Sequence, residues 1–165
     1  MVSPTYDFKA LLETLHNYQV DFIIVGGVCA VLHGAPVTTF DLDIVHSQTQ
    51  ENLLYLMSAL QELEAYYRGR EEDQLKPNII SLSSPGHHLL MTRFGPLDLL
   101  GTIGAGWNYA DLLPYSGEIE IGNLRLKVLS LEKLIEVKEE TSFEKDKAIL
   151  PILRQTLLEK RKKGG

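Results

Sequence analysis

The chain has 165 residues, of which 44% are hydrophobic and 23% are charged, with a formal net charge of −6 at pH 7. This length and composition indicate one globular domain over residues 1–165 and exclude a largely disordered chain. The negative charge disfavours a large nonspecific nucleic-acid surface, because duplex affinity depends mainly on Lys and Arg that neutralise phosphates.

Apolar runs and the cysteine count bear on the compartment. No apolar run approaches the roughly 20 residues that cross a bilayer, so we expect no membrane partner. The first residues lack the basic start and apolar core of a secretory signal, and we therefore expect a cytoplasmic protein. The single cysteine, Cys29, has apolar neighbours, which indicates a core position.

The first half of the chain predicts three helices and two strands. Apolar residues at helical spacing indicate the helices, and short apolar or alternating runs indicate the strands. The predicted elements are a helix over Asp7 to Tyr18, a strand over Phe22 to Val25, a helix over Val28 to His33, a strand over Asp41 to His46, and a helix over Gln50 to Leu63 with Thr49 at its start. A turn at Gly26-Gly27 separates the first strand from the second helix.

The second half predicts an exposed loop, two hairpins and C-terminal helices. Glycine pairs and prolines mark the turns, and Pro151 predicts a kink or break in the last helix. The predicted segments are a loop over Tyr66 to Asn78, a strand over Ile79 to Leu82, a hairpin of His87 to Phe94 with Leu97 to Ile103, a hairpin of Glu118 to Ile121 with Leu124 to Val128, a helix that Ser130 caps, a helix over Phe143 to Glu159, and a flexible basic tail over 160–165.

Three aspartates stand out against this pattern. Asp41 and Asp43 are separated by one residue on a predicted strand, so both side chains project to one face, about 7 Å apart at Cα. Their oxygens can converge on one hard cation such as Mg²⁺. Asp98, on the second arm of the predicted hairpin, supplies a third acid on a neighbouring strand. Together with the glycine turn, whose backbone N–H groups suit phosphate, they point to nucleotide chemistry.

These residues resemble the small nucleotidyltransferases of the DNA polymerase β-like superfamily, including the minimal nucleotidyltransferases associated with toxin–antitoxin loci. The resemblance runs from residue 22 to about 150, and its motifs are Val25-Gly26-Gly27 with Ala30 and His33-Gly34, Thr39 to Val45, Asp98, and Leu129 to Ile135 with Lys138 and Lys145-Asp146. It implies an α/β (α+β) fold with a mixed sheet flanked by helices and followed by C-terminal helices.

The resemblance also implies an activity. The protein would transfer a nucleotidyl group from a nucleoside triphosphate (NTP) such as ATP to a hydroxyl on a protein, RNA or small-molecule acceptor. Asp41, Asp43 and Asp98 would hold Mg²⁺, and Asp98 would also assist loss of the acceptor proton. Gly26-Gly27 would approach the triphosphate. Lys138 or Lys145 would neutralise phosphate charge.

Two departures from the family pattern leave alternatives open. Val28 stands where active relatives commonly have Ser, and Val37 stands where many have Arg, so two phosphate ligands are absent. A second hypothesis is therefore a noncatalytic module of the same fold that binds a partner protein or nucleotide. A third is an RNA-binding adaptor that uses the basic run Lys160 to Lys163. Lys138 itself is equally consistent with an exposed helix lysine paired to Glu.

Aromatic residues, histidines and glycine motifs carry further predictions. Trp107, Tyr109 and Tyr115 predict either a base-stacking wall or cover for a core edge. His87 and His88 are consecutive on a predicted strand and point to opposite faces, so no zinc site is indicated. Neither G-x-G-x-x-G nor G-x-x-x-x-G-K-[ST] occurs, which disfavours a Rossmann dehydrogenase and a P-loop kinase.

Overall fold

A computed structural model describes residues 6–141 and 143–164. The residues before 6, which bear on a secretory signal, and the last residue of the basic tail lie outside this description. The helices are α1 (Phe8–Asn17), α2 (Gly26–Leu32), α3 (Gln50–Glu62), α4 (Ile79–Leu82), α5 (Tyr109–Leu112), α6 (Leu131–Glu139) and α7 (Glu144–Gly164), with a 3-10 turn at Leu113–Tyr115. The strands are β1 (Phe22–Val25), β2 (Leu42–His46), β3 (Tyr66–Tyr67), β4 (His87–Thr92), β5 (Gly95–Leu100), β6 (Ser116–Ile121) and β7 (Leu124–Leu129).

One mixed sheet of seven strands organises the molecule, in the order β3-β4-β5-β2-β1-β7-β6. The two predicted hairpins, β4–β5 and β6–β7, are antiparallel and form its outer parts. At the centre, β1 pairs antiparallel with β2, while β2–β5 and β1–β7 are parallel. Every residue of β1 is buried, as its unbroken apolar sequence predicts. The predicted mixed sheet flanked by helices is thus confirmed.

Five of the described helices, α1, α3, α4, α5 and α6, begin at residues whose side chains accept a hydrogen bond from the first turn. Asp7 accepts from the N–H of Ala10 at 3.0 Å, and Ser130 accepts from the N–H of Lys133 at 3.2 Å. Thr49 caps α3 in the same way. These bonds satisfy helix N–H groups that have no partner within the helix, which is why polar caps mark the starts in the sequence. No helix in the described ranges is long and apolar enough to cross a membrane.

The prediction of a strand over Ile79 to Leu82 is wrong, because this segment is the one-turn helix α4. The Asn78 side chain accepts from the Ser81 N–H at 2.9 Å, and the Ser81 hydroxyl accepts from the Asn78 N–H at 3.2 Å. This reciprocal cap outweighs the strand preference of the two isoleucines. Ile80 is 83% exposed, so it does not occupy a buried strand position.

The predicted loop over Tyr66 to Asn78 is wrong at its start. Tyr66 and Tyr67 form β3, which pairs with Met91 and Leu90 at the edge of the sheet. Aromatic residues favour strands. As an edge strand, β3 pairs with β4 alone. All residues from Gly69 to Leu75 are exposed, as the prediction has them.

The last helix continues through Pro151 without the break that was one of two predicted outcomes. Proline removes one backbone hydrogen bond of the helix, yet Leu150, Leu153 and Thr156 are buried on either side of this point. Packing of this face supports the helix where the bond is lost. The helix extends beyond the predicted end at Glu159 and includes the basic run, in which the Lys160 amine contacts His33 Nδ1.

Candidate active site

The three aspartates singled out in the sequence come together in the structure. Asp43 in β2 and Asp98 in β5 are direct partners across two parallel strands, and Asp41 lies just before β2. One carboxylate oxygen from each residue lies within 4.8 Å of the other two. This spacing allows all three side chains to contact one divalent cation, or two neighbouring ones.

Burial and neighbouring carboxylates disfavour the ionised form of Asp43. Burial raises the pKa of Asp43 to about 8, and the neighbouring carboxylates of Asp98 and Asp41 add to the rise. Asp43 Oδ1 is buried and accepts no hydrogen bond from any described residue. A buried carboxylate oxygen without a partner is costly, and a bound cation relieves that cost. The cluster therefore fits a hard divalent metal ion such as Mg²⁺.

The glycine pair lets the chain approach the carboxylates closely. Gly26 has a φ of +66°, and a Cβ at this position would overlap the Asp43 carboxylate. A Cβ at Gly27 would lie 2.5 Å from the Thr39 hydroxyl oxygen. Side chains are thus excluded at both positions, by space at Gly27 and by space and backbone conformation at Gly26. Helix α2 starts at Gly26, two residues earlier than predicted, so the pair forms its first turn.

A cleft of about 540 Å³ opens over the carboxylates. Its charged side chains beyond the triad are Lys138, Lys145 and Asp146. Lys138 Nζ donates to Asp146 Oδ1 at 3.1 Å, and the Thr141 hydroxyl donates to Asp146 Oδ2 at 2.6 Å. Burial works to raise the pKa of Asp146, but the Thr141 hydrogen bond and the Lys138 charge outweigh it and hold that pKa below its ordinary value. Lys138 is therefore a fixed cation on the cleft wall, not a freely solvated helix lysine.

Exposed apolar side chains line the same cleft and were not singled out in the sequence. Phe40 is 65% exposed, Phe143 is 71% exposed and Leu89 is 45% exposed. Leu89 stands directly opposite Asp98 in the β4–β5 pair. Large apolar side chains exposed in a concave, charged site are typical of a surface that contacts an organic ligand.

Arg68 is a second residue that sequence reasoning missed. Its Nη2 lies 2.8 Å from Asp98 Oδ1, and its Nη1 donates to the Leu90 carbonyl at 2.8 Å. Arg68 follows β3 directly, so its position depends on the short edge strand that the sequence did not predict. No sequence motif marks this arginine.

The two residues that depart from the family pattern are valines, and neither side chain can donate a hydrogen bond to a phosphate. The Val28 side chain is buried in the core, and Val37 presents an apolar side chain to the cleft. Among the described residues around the site, Lys138, Lys145 and Arg68 supply the positive charge.

The aromatic group at 107–115 belongs to another part of the molecule. Trp107 and Tyr115 pack edge to face at 6.0 Å, and Lys133 Nζ lies over both rings, 4.1 Å and 3.8 Å from their centroids. Trp107 Nε1 also donates to Glu140. These contacts match the alternative in which the rings cover a core edge.

The remaining predictions on single residues agree with the structure. Cys29 is buried as a free thiol, and burial raises its pKa to about 12, as expected for an unreactive core cysteine. His87 faces the cleft while His88 is buried on the opposite face, where Tyr67 contacts it. His33 follows α2 directly and contacts the Leu129 carbonyl through Nε2 at 2.7 Å.

Comparison with known proteins supports the fold. No protein-family model and no curated protein matches the chain. A solved structure of a candidate nucleotidyltransferase from Thermotoga maritima is 18% identical, with a TM-score of 0.52 over 94% of this chain and 88% of that chain. The lincomycin-bound lincosamide antibiotic adenylyltransferase LnuA is 11% identical, with a TM-score of 0.60 over 93% of this chain and 99% of that chain. At these identities the similarity shows a nucleotidyltransferase-type fold and leaves activity and subtype open.

Proposed function

We propose that this protein is a magnesium-dependent nucleotidyltransferase, which moves a nucleotidyl group from an NTP to a hydroxyl of an acceptor. The convergence of Asp41, Asp43 and Asp98 within 4.8 Å on a nucleotidyltransferase-type fold is the observation that carries the proposal. The unpartnered Asp43 Oδ1 supports it, because a bound cation would supply the partner that this oxygen lacks among the described residues.

The three aspartates are the residues that would hold Mg²⁺. When bound there, the metal supplies Lewis-acid stabilisation of the charge that develops on the transferred phosphate. Asp98 lines the cleft opposite Leu89, whose side chain is 45% exposed, and it would assist removal of the acceptor hydroxyl proton. Lys138, oriented by Asp146, neutralises charge on the phosphates.

Features of the cleft favour a small organic acceptor over RNA. Its volume of about 540 Å³ is in the range of small-molecule pockets, which is about 300–1,000 Å³. Phe40, Leu89 and Phe143 offer apolar surface for a base or for the acceptor. The net charge of −6 works against a polyanionic acceptor. ATP is the first donor to test, because one structural neighbour is an adenylyltransferase.

A transfer assay tests this function. The chain is incubated with each NTP labelled at the α-phosphate, with Mg²⁺, and with the protein, RNA and small-molecule fractions of a cell extract. We expect label to enter the small-molecule fraction, with loss of transfer in Asp43→Asn. The variant Asp73→Asn is the matched control, because Asp73 pairs with Arg70 in an exposed turn and does not belong to the carboxylate cluster. Transfer that is equal in wild type and Asp43→Asn would contradict the metal mechanism.

A noncatalytic module of the same fold is the second candidate. It is favoured by the positions of Val28 in the core and Val37 in the cleft, since neither provides a phosphate donor. This alternative predicts nucleotide or partner binding with no label transferred to any fraction. Metal-dependent incorporation of label above the Asp43→Asn level would exclude it.

A further inference from the structure

Arg68 brings a permanent positive charge to the carboxylate cluster. Its Nη2 is 2.8 Å from Asp98 Oδ1, and the Arg68 side chain is 26% exposed. That oxygen is fully buried and has no hydrogen bond of acceptable geometry from the described residues. The N–H groups of the guanidinium are thus not directed at the oxygen. The contact is an ion pair and not a hydrogen bond.

The position of the guanidinium is fixed by β4. Nη1 donates to the Leu90 carbonyl at 2.8 Å, and the Arg68 backbone N–H donates to the Leu89 carbonyl at 2.9 Å. The side chain therefore reaches across β4 to β5. Arg70, two residues later, pairs instead with Asp73 in an exposed turn. Proximity along the chain alone does not bring an arginine to the cluster.

Charge balance indicates what Arg68 does there. Three carboxylates converge, while the nearby Lys138 is paired with Asp146. Among the described side chains, Arg68 is the cation in direct contact with the triad. A guanidinium stays charged at any working pH. It therefore offsets repulsion among the aspartates when no metal is bound, and it repels a divalent cation at the same place. At an effective dielectric constant of about 20, charges several ångströms apart still interact appreciably.

We propose that Arg68 is the resident counter-ion of Asp41, Asp43 and Asp98, and that it keeps the affinity of the cluster for a free divalent cation low. It is a positioning residue, since it acts through Asp98. The inference rests on the proposed function, in which the same aspartates hold the metal. The metal would then bind together with the NTP. The phosphates of the NTP add negative charge, which compensates for the charge that Arg68 neutralises at the triad.

Binding of Mn²⁺, measured by electron paramagnetic resonance of the free ion at constant pH, tests the inference. Mn²⁺ takes the same oxygen ligands as Mg²⁺ and is detected directly. Without nucleotide, we expect Arg68→Met to bind Mn²⁺ at least about tenfold more tightly than wild type. A change of about 1.4 kcal/mol in the binding free energy gives that factor. Arg68→Gln, which stays polar, provides a second neutral variant. Arg68→Lys and the control Arg70→Met should resemble wild type.

The outcomes separate this inference from the proposed function. Unchanged or weaker Mn²⁺ binding in both neutral variants would overturn the counter-ion role and would leave the metal site standing. Absence of Mn²⁺ binding by wild type, with and without ATP, would overturn both. Two results together would support the counter-ion role. Both neutral variants would bind Mn²⁺ more tightly than wild type, and their unfolding temperatures would be lower without metal and would recover when Mn²⁺ is added. A merely structural arginine would lower the unfolding temperature without raising metal affinity.

Discussion

Asp43 and Asp98 are register partners on the parallel strands β2 and β5, so their side chains lie side by side on one face of the sheet. This pairing joins residues more than fifty positions apart and places two acids next to Asp41. Parallel strands keep such a pairing in fixed register along the whole ladder. The Asp43–Asp98 pair is therefore a property of the central sheet, and Asp41 joins it from the position just before β2.

The stability of the metal-free protein should fall as pH rises from about 4 to about 8. Burial raises the pKa of Asp43 to about 8, so the folded state holds this proton more tightly than the unfolded chain, whose pKa is near 3.8. The protonated Asp43 carboxyl contributes its full share of the folding stability below the pKa of the unfolded chain. This contribution is lost as the pH rises through the pKa of Asp43 in the folded state. We expect the melting temperature to fall on the order of 10 °C over this window in wild type, as a few kcal/mol imply.

Thermal unfolding by circular dichroism at a series of pH values measures this effect. Asp43→Asn removes the titrating group, so its pH dependence in the same window should be smaller. Equal slopes for wild type and Asp43→Asn would show that Asp43 does not carry the effect. Because metal binding needs the ionised carboxylate, Mg²⁺ affinity should rise over the same pH range.

Replacement of Gly26 by alanine should disrupt the carboxylate cluster. The new Cβ overlaps the Asp43 carboxylate, and the φ of +66° is unfavourable for alanine. Gly34→Ala is the matched control, because Gly34 has a φ of +96° and open space around its Cβ position. Both variants should lose about 1–2 kcal/mol of stability from the backbone conformation. Only Gly26→Ala should also lose Mg²⁺-dependent nucleotide binding, measured by calorimetry. Loss of that binding in neither variant, or equally in both, would speak against a specific contact with Asp43.

Lys138→Met should reduce nucleotide transfer while leaving the fold intact. Lys138 lines the cleft and is held by Asp146 at 3.1 Å, so its charge has a fixed position. A hydrogen bond to a charged group contributes about 1.5–3 kcal/mol, which corresponds to roughly a 10- to 100-fold loss in kcat/KM. Steady-state kinetics of transfer would measure it, with the exposed Lys147→Met as control. A kcat/KM within twofold of the control would assign Lys138 to structure alone.

Much of the architecture follows from local sequence patterns. The apolar run Phe22–Val25, the Gly122-Asn123 hairpin turn and the polar caps at Thr49 and Ser130 each act within a few residues, so the sequence predicts them. The first hairpin is also predicted, but its turn lies at Arg93-Phe94, and Gly95 and Pro96 begin β5. The segment at Ile79–Leu82 was predicted wrongly, since its helix depends on the reciprocal cap of Asn78 and Ser81 and not on periodicity.

Parts of the site depend on contacts between distant segments. The three aspartates were identified by spacing and by family resemblance, and the sheet brings them together. Arg68 reaches Asp98 only because β3 pairs with β4, and a two-residue strand leaves no periodic signal. The exposure of Phe40 and Phe143 is likewise invisible in sequence, because an apolar residue ordinarily predicts a core position.

Thermal unfolding of the purified protein with each of the four NTPs, with and without Mg²⁺, tests the central claim most directly because it needs no acceptor. A nucleotide that binds only the folded state, at about 100 times its dissociation constant, stabilises it by roughly 2.7 kcal/mol. We predict a Mg²⁺-dependent rise in melting temperature with at least one NTP in wild type and in Asp73→Asn, and none in Asp43→Asn. No shift with any NTP, or an equal shift in Asp43→Asn, would contradict a metal-dependent nucleotide site at Asp41, Asp43 and Asp98.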